Sequence, residues 1–318
     1  MSKLSYISQI IGRVNSVTEK CGSILLFGEN IDTGSRIAGL ARGLEVNPAG
    51  RIQNVGNCEL THCGIGLGML LDGGQATLFV KQLDFMLLGL DQICNTFNFI
   101  RAYRPKNTWG SFTIFVIICD QGYQGPQSSL NNAGDFASLA NIPVYCLNGA
   151  EDSSRVIENH FVSPGFRIIC LSQRLFGEPS LDTQVEWSND DSSIFHYRSG
   201  SGITIVSLNF SLRETLDMDA KLRAADVESD VFHVNFVPGL DMRPIMESCR
   251  RTGRLIVVDD SKTVTKFSDA LVAELCLQGV SVKLLQFCRR GCADHEYGAN
   301  KDQLLLDFDK VLAFSREV

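Results

Sequence analysis

The segment Asn57-Cys-Glu-Leu-Thr-His-Cys-Gly-Ile-Gly-Leu-Gly68 contains three closely spaced glycines and a single carboxylate, Glu59. Glycines at alternate positions each weaken a helix by about 1 kcal/mol relative to Ala, so a helix here must gain from close approach of another backbone. Glu59 is either a first-turn residue that complements the helix dipole above a tight helix crossing or a functional carboxylate. The rest of the chain has to decide between these two interpretations.

Length and composition narrow the class of protein. The 318 residues are enough for two domains of ordinary size. A hydrophobic fraction of 44% is typical of a globular protein, and no run approaches the roughly 18 apolar residues of a membrane helix. The net charge of -7 provides no basic surface for a phosphate backbone. The first twenty residues lack the features of a signal peptide. We therefore expect a cytoplasmic protein that neither spans a membrane nor binds nucleic acid.

Cysteine spacing argues against a structural metal. There are 11 cysteines, an odd number, scattered through predicted strands and helices, and they are predicted to be reduced. The close pairs Cys58/Cys63 and Cys288/Cys292 lack the Cys-x-x-Cys spacing of a zinc site. No metal site is predicted within this chain.

The first half of the chain alternates between apolar runs and helical patterns. Residues 23–27 and 112–119 are continuously apolar, which is typical of strands inside a parallel sheet. Ligands bind at the carboxyl ends of such strands, so Gly28, Glu29 and Asn30 are predicted to lie on the functional edge, with a plain turn as the alternative. A long helix is predicted over 84–103, and residues 120–134 read as a loop rich in Gly, Ser and Asn, typical of a functional or disordered segment.

The second half repeats this alternation after a polar interval. Residues 189–202 are rich in Ser, Asp and Gly, and strand and helix patterns resume from 203 to 287. The predicted fold is α/β with two domains, each a mostly parallel sheet flanked by helices. The predicted boundaries are a first domain at 1–190, a linker at 191–202 and a second domain at 203–318.

Five segments together resemble a known family, in order and spacing over nearly the whole chain. The segments are Gly28-Glu-Asn30, the Glu59 helix, Asp84-Phe85 with Leu90-Asp-Gln-Ile-Cys-Asn95, Val237-Pro-Gly-Leu-Asp241 and Thr252-Gly-Arg-Leu-Ile-Val-Val258. They resemble the beta subunit of thiamine-diphosphate-dependent 2-oxo acid dehydrogenases and, more broadly, the transketolase-like superfamily. The resemblance implies a pyrimidine-binding domain followed by a transketolase-type C-terminal domain.

The resemblance also implies a partner chain and a cofactor. The diphosphate-binding module of the family carries a Gly-Asp-Gly with a following Asn, and this sequence contains no such motif. We therefore expect a separate alpha-type subunit, in an alpha2beta2 heterotetramer. The expected cofactor is thiamine diphosphate, with Mg2+ bound mainly by the partner subunit.

Residue roles follow from the same resemblance. A Glu at the position of Glu59 hydrogen-bonds a ring nitrogen of the aminopyrimidine and favours its imino tautomer, which deprotonates the thiazolium carbon. Phe85 matches the aromatic residue that stacks on the pyrimidine ring, although a core role at a helix start is the alternative. Leu60 and the segment Gly28 to Asn30 are expected near the ring or the facing subunit.

One position departs from the family. Aligned through Gly125-Pro-Gln127, the loop position that is His in the family is Ser128 here. A serine does not titrate near neutral pH as His does. The acid/base group is then expected elsewhere, with His62, one helical turn from Glu59, as the candidate and a structural or solvated His as the alternative. Ser128, Ser129, Asn131 and Asn132 are alternatively hydrogen-bonding groups for a polyhydroxylated substrate.

The leading hypothesis is a catalytic beta-type subunit that acts with its partner on a 2-oxo acid or a ketose. Ser128 favours ketol or acyl transfer over a housekeeping dehydrogenase complex. The alternative is a noncatalytic assembly or regulatory subunit of the same fold. A Rossmann-type nucleotide-binding protein is disfavoured, because no Gly-x-Gly-x-x-Gly opens a helix after a strand. Asp259 and Asp260 are interpreted as caps of a turn, and the second domain is expected to serve assembly.

Overall fold

The computed structural model describes residues 4–121, 131–263, 265–288 and 304–316. Within these ranges the helices are α1 Tyr6–Lys20, α2 Glu59–Leu71, α3 Phe97–Tyr103, α4 Ala133–Ala140, α5 Ala150–His160, α6 Leu212–Arg223, α7 Arg243–Thr252, α8 Phe267–Leu277 and α9 Phe308–Arg316. The strands are β1 Leu25–Gly28, β2 Arg51–Asn54, β3 Gln75–Val80, β4 Ser111–Ile118, β5 Val144–Leu147, β6 Gly165–Ser172, β7 Trp187–Ser188, β8 Ile194–Arg198, β9 Ile203–Leu208, β10 Ser229–Val234, β11 Arg254–Asp259 and β12 Lys283–Cys288.

The first sheet has the order β2-β1-β3-β4-β6-β5. Every neighbouring pair within it is parallel; for example, Leu26 pairs with Ile52 on one side and Thr77 on the other. All eight residues of β4 are buried, as its continuous apolar run predicts for a central strand covered on both faces. The carboxyl ends of the strands therefore share one edge of the sheet.

The second sheet has the order β12-β11-β9-β10-β8-β7. The first four strands in this order are parallel to one another. At the other edge β8 pairs antiparallel with β10, and β7 pairs antiparallel with β8. The predicted fold class, with two mostly parallel sheets flanked by helices, is thus confirmed. The interval 191–202, predicted as a linker, contains β8, so the second sheet takes in chain that precedes residue 203. The domain boundaries themselves remain a prediction.

The segment predicted as one long helix over 84–103 is divided. It consists of a 3₁₀ segment at Leu83–Gly89, a π-helical turn at Gln92–Thr96 and then α3. Gly89 accounts for part of the difference, because it lies so close to α2 that a Cβ there would be 2.7 Å from Sγ of Cys63. The segment bends around α2, which apolar periodicity alone does not predict.

The buried apolar side chains of the described residues form two clusters, and each cluster contains residues from both sheets. The sheets also meet through the backbone at one point, where Val144 of β5 and Phe236 exchange hydrogen bonds of 2.9 and 3.1 Å. The two domains therefore share core packing. In the described ranges, no helix combines the length and the apolar character needed to cross a membrane.

Candidate active site

A cleft lies where β1 and β3 end and α2 begins, at the carboxyl edge of the first sheet. It encloses about 490 Å³, including its open mouth. Its polar lining residues are Glu29, Asn30, Ser35, Glu59, His62 and Lys81. Its apolar lining residues are Ile37, Leu78, Phe79, Val80, Phe85 and Met86. A carboxyl edge of a parallel sheet is where ligands bind in this class of fold.

Glu59 is the first residue of α2, and its side chain is only 8% exposed. The preceding residue, Cys58, is the N-cap residue of α2. Its exposed thiol lies 3.0 Å from Oγ1 of Thr61, and hydrogen bonds from the side chain and backbone of Thr61 lower the pKa of this thiol. Val55 N donates to the carbonyl of Gly28 at 3.2 Å, so the turn that leads to Glu59 lies against the end of β1.

Asn57 links the two glutamates of the cleft. With its amide nitrogen facing the carboxylates, Asn57 donates to Oε1 of Glu29 and to Oε2 of Glu59, each at 3.3 Å. An amide donor between two carboxylates offsets part of their mutual repulsion. Only Oε2 of Glu59 takes part in this contact.

His62 and Phe85 line the same cleft as Glu59. His62 is 4% exposed, and its ring meets the ring of Phe27 edge to face with centroids 6.3 Å apart. Phe85 belongs to the 3₁₀ segment, where its backbone N donates to Gln82 O at 3.2 Å. The structure therefore brings Glu59, His62, Phe85, Glu29 and Asn30 together around one space.

Gly28 and Leu60 do not line this cleft. A Cβ at Gly28 would lie 2.4 Å from the carbonyl oxygen of Phe79, so Gly28 lets the end of β1 approach β3 closely. Leu60 is 45% exposed and does not line the cleft, because it follows Glu59 by one residue and a helix turns by about 100° per residue. Ser128 lies outside the described residues.

A strained turn forms one wall of the cleft. Arg36, Ile37 and Ala38 are consecutive residues with φ of 47°, 51° and 54°, in the left-handed region that a β-branched residue rarely adopts. Ile37 is buried in this turn and faces the cleft together with Ser35. Strain of this kind concentrates at functional sites.

Sequence reasoning missed the contributions of Asn57, Ile37 and Lys81. Lys81 directly follows β3, so the strand-end rule that identified Gly28 to Asn30 would also have found it. Asn57 belongs to the segment 57–68, but its contact with Glu29 joins residues far apart in sequence, so the sequence alone does not predict it. No local signal predicts a left-handed Ile37.

The glycines of α2 differ in their surroundings. A Cβ at Gly66 would lie 2.1 Å from Cε2 of Phe112, so Gly66 permits α2 to pack on β4. A Cβ at Gly64 or Gly68 would meet nothing within 4 Å. These two glycines share an open face of α2 with Leu60, Ile65 and Leu71, which are exposed apolar residues.

The sequence is similar to those of beta subunits of several enzymes. Acetoin:2,6-dichlorophenolindophenol oxidoreductase subunit beta of Cupriavidus necator is 22% identical over 289 residues, covering 87% of this chain and 85% of that protein. The 2-oxoisovalerate dehydrogenase subunit beta of Bacillus subtilis is 21% identical over 329 residues, covering 100% and 99%. Pyruvate dehydrogenase E1 component subunit beta of the same organism is 20% identical over 282 residues, covering 86% and 85%. No protein-family model matches the sequence.

A solved structure has the same fold. It is described as a split gene transketolase, inactive beta4 tetramer, and it superposes with a TM-score of 0.65 over 99% of this chain and 100% of that chain, at 15% identity. The resemblance inferred from the sequence is therefore confirmed: over nearly its whole length the chain is similar to the beta subunits of 2-oxo acid dehydrogenases, and it has the transketolase-like fold.

Proposed function

We propose that the chain is the beta-type subunit of a split thiamine-diphosphate-dependent enzyme, in which Glu59 activates the cofactor. The observation that carries this proposal is the placement of Glu59: a nearly buried carboxylate at a helix start, in a cleft that also holds Phe85. The similarity to beta subunits along the chain supports it. The reaction would be a C–C bond cleavage or formation on a 2-oxo acid or a ketose.

The lining of the cleft fits the aminopyrimidine end of thiamine diphosphate. Glu59 offers an acceptor for a ring nitrogen, Phe85 offers an aromatic face, and Ile37 and Met86 offer apolar walls. Fewer of the lining residues fit the diphosphate end of the cofactor. Among the lining residues Lys81 carries the only full positive charge, and no group of three His, Cys, Asp or Glu in the described chain is arranged to hold a metal ion. We propose that the diphosphate and Mg2+ are held mainly by a partner subunit of alpha type.

When bound, the cofactor would supply a carbon nucleophile for the carbonyl carbon of the substrate. Glu59 would hold the ring-nitrogen proton through the oxygen that Asn57 leaves unoccupied. Apolar side chains around it would exclude water and strengthen that hydrogen bond. His62, in the same cleft, is the proposed proton carrier near the substrate.

The identity of residue 128 bears on the type of reaction, and the open face of α2 bears on assembly. The family His at the position of Ser128 is absent, which favours ketol or acyl transfer over lipoyl acylation. The two open glycines on α2 and the apolar residues beside them support assembly with other subunits, with alpha2beta2 as the proposed form. The similar split-gene transketolase chain is an inactive beta4 tetramer; we likewise expect this chain to be inactive without its partner.

The proposal is tested with the chain co-purified with its alpha-type partner, which is sought among the neighbouring open reading frames. We expect turnover that requires thiamine diphosphate, and a loss of 10²-fold to 10⁴-fold in Glu59→Gln, the usual range for removal of an acid/base group. Glu45→Gln, which alters an exposed glutamate, serves as the matched control and should keep full turnover. Cofactor binding is measured in parallel by calorimetry. Binding without turnover, or no binding at all, would instead support the noncatalytic alternative.

A further inference from the structure

Four consecutive residues in one wall of the cleft have positive φ, and only the last of them is a glycine. Arg36, Ile37 and Ala38 have φ of 47°, 51° and 54°, and Gly39 has φ of 96°. L-residues visit this region as single residues rather than in runs, because Cβ comes too close to the following carbonyl oxygen. The conformation of residues 35–39, hereafter the 35–39 turn, must therefore be held by contacts with the rest of the chain.

Hydrogen bonds close the backbone of the 35–39 turn on itself. Gly39 N donates to Ser35 O at 3.0 Å, and Ala41 N donates to Arg36 O at 3.1 Å. Ala38 N donates to Oγ of Ser35 at 3.3 Å, so this cleft-lining hydroxyl is engaged within the turn. These bonds satisfy local polar groups but do not select the left-handed region, since ordinary turns form bonds of the same kind.

The side chain of Ile37 supplies a contact that does select this conformation. Ile37 is 4% exposed and is the only buried residue among residues 32–39. A Cβ at Gly28 would lie 3.0 Å from Cδ1 of Ile37, so the end of this side chain lies against the backbone of Gly28. Burial of an Ile side chain is favourable enough to offset backbone strain of this kind. A larger residue at position 28 would displace Ile37.

The strained turn places this one buried side chain in the wall of the cleft. Ile37 lines the cleft together with Glu59 and Phe85, whereas Arg36 and Ala38 do not line it. Strained backbone at a ligand site is a means of preorganisation, because a wall that is already fixed loses little conformational entropy when a ligand binds. The space beside Glu59 is therefore bounded by a side chain whose position is set before any ligand arrives.

We propose that Ile37 is a positioning residue: the 35–39 turn and Gly28 hold its side chain as a fixed apolar wall that keeps the aminopyrimidine of the cofactor in place against Glu59. This inference rests on the proposed function. It gives Gly28, which does not line the cleft, the task of making room for Ile37. Because a misplacement of about 1 Å costs as much as roughly 10²-fold in rate, movement of this wall would slow proton removal without changing any group that takes part in it.

The test compares Ile37→Ala with Ile31→Ala in the complex with the partner subunit. Ile31 is buried in the same core cluster and lies in the same connection between β1 and β2, but it does not line the cleft. Both variants should lower the midpoint of urea unfolding. We expect only Ile37→Ala to weaken thiamine diphosphate binding in calorimetry, by about 10-fold, the lower end of what one lost methylene costs in an apolar pocket. Deuterium exchange at the thiazolium carbon should also slow by about 10-fold.

Two further variants separate the side chain from the backbone. Ile37→Leu keeps the volume of the side chain and should bind the cofactor within about threefold of wild type. Arg36→Gly keeps Ile37 and gives a residue with φ of 47° the conformational freedom of glycine. We expect the amide hydrogens of Gly39 and Ala41 to exchange about 10-fold faster in Arg36→Gly, with no loss in the midpoint of unfolding and with weaker cofactor binding.

The inference is overturned if Ile31→Ala weakens cofactor binding as much as Ile37→Ala does, or if Ile37→Ala leaves binding and thiazolium exchange unchanged. Binding in Ile37→Leu as weak as in Ile37→Ala would contradict the apolar wall, and unchanged amide exchange and binding in Arg36→Gly would contradict the role of the strained turn. A wild-type complex that binds no thiamine diphosphate would instead contradict the proposed function. Amide exchange in Ile37→Ala, measured on the chain alone, would still show whether Ile37 holds the turn.

Discussion

At the scale of single residues, the site depends on how two carboxylates share one amide. Glu29 directly follows β1 and Glu59 begins α2, and Asn57, with its amide nitrogen facing the carboxylates, donates to both. Two carboxylates in one cleft repel each other more strongly than they would in water, because the effective dielectric constant there is lower. The Asn57 amide is therefore expected to hold Glu59 in the orientation that a ring nitrogen requires.

Replacing Asn57 by Leu keeps a similar volume and removes both donors. In the complex with the partner we expect turnover to fall about 10-fold. Hydrogen bonds to charged groups contribute roughly 1.5 to 3 kcal/mol, and because Asn57 is exposed in the isolated chain we expect the low end of that range. Turnover under saturating cofactor measures the effect. Asn107→Leu, at an exposed site near the start of β4, is the control and should leave turnover unchanged. Equal turnover in wild type and Asn57→Leu would contradict the role of the bridge.

At the scale of elements, the glycines of α2 divide into an inward and an outward set. Gly66→Ala places a Cβ against the ring of Phe112, and such overpacking typically costs about 1 to 3 kcal/mol. Gly68→Ala places a Cβ in open space, and Ala is favoured over Gly in a helix by up to roughly 1 kcal/mol. Urea unfolding of the isolated chain should therefore show a loss of stability for the first variant and a gain for the second.

The two glycines of the open face, Gly64 and Gly68, report on assembly. If the open face of α2 packs against another subunit, Gly68→Ala should weaken association while it stabilises the isolated chain. Analytical ultracentrifugation of the complex would detect this. Unchanged assembly for Gly64→Ala and Gly68→Ala would show that the face is not an interface.

Strand β10 carries a buried histidine whose ionisation is coupled to folding. Nε2 of His233 lies 3.2 Å from Nδ2 of Asn148, which can only donate, and Nδ1 lies 3.0 Å from Oγ of Ser207. This assigns a neutral ring with its proton on Nδ1. Burial lowers the pKa of His233 from 6.5 to about 4. The unfolded chain therefore binds a proton in this interval that the folded chain does not, so stability is full above about pH 6.5 and is lost as the pH falls toward 4.

We expect His233→Gln to be less stable than wild type at pH 7.5 and to lose less stability between pH 7 and pH 4.5. The difference in loss is on the order of 2 to 3 kcal/mol, from 1.36 kcal/mol per pKa unit. Urea unfolding at each pH measures it, and the ring signals of His233 in NMR spectra give an independent check. A His233 that titrates near pH 6.5 in the folded protein would contradict the assignment.

At the scale of the whole molecule, the two domains behave as one packed body in the described residues. Each core cluster draws on both sheets, Val144 pairs with Phe236 across the domains, and Asp260 receives a guanidinium from the first domain. Asp260, interpreted from the sequence as the cap of a turn, is thus also part of the contact between domains. The second domain is proposed to serve assembly.

Features that depend on local composition could be predicted from the sequence, whereas features that depend on contacts between distant residues could not. Continuous apolar runs such as 112–119 predicted the parallel sheets, because strand burial is a local property of composition. The polar interval around β8 concealed a five-residue strand, since Ser, Asp and Gly flank it on both sides. The strand-end rule located Glu29 and Asn30. The bonds of Asn57 to Glu29 and of Asn131 to Asp260, the latter 129 residues apart, depend on tertiary packing and have no local signature.

The central claim is that Glu59 drives removal of the proton from the reactive carbon of the cofactor. The most direct measurement is the rate of deuterium exchange at the thiazolium carbon of thiamine diphosphate bound to the complex, followed by NMR after acid quench. We expect fast exchange in the wild-type complex and exchange slower by 10²-fold to 10⁴-fold in Glu59→Gln, with the cofactor still bound. Equal exchange rates in the two complexes would contradict it.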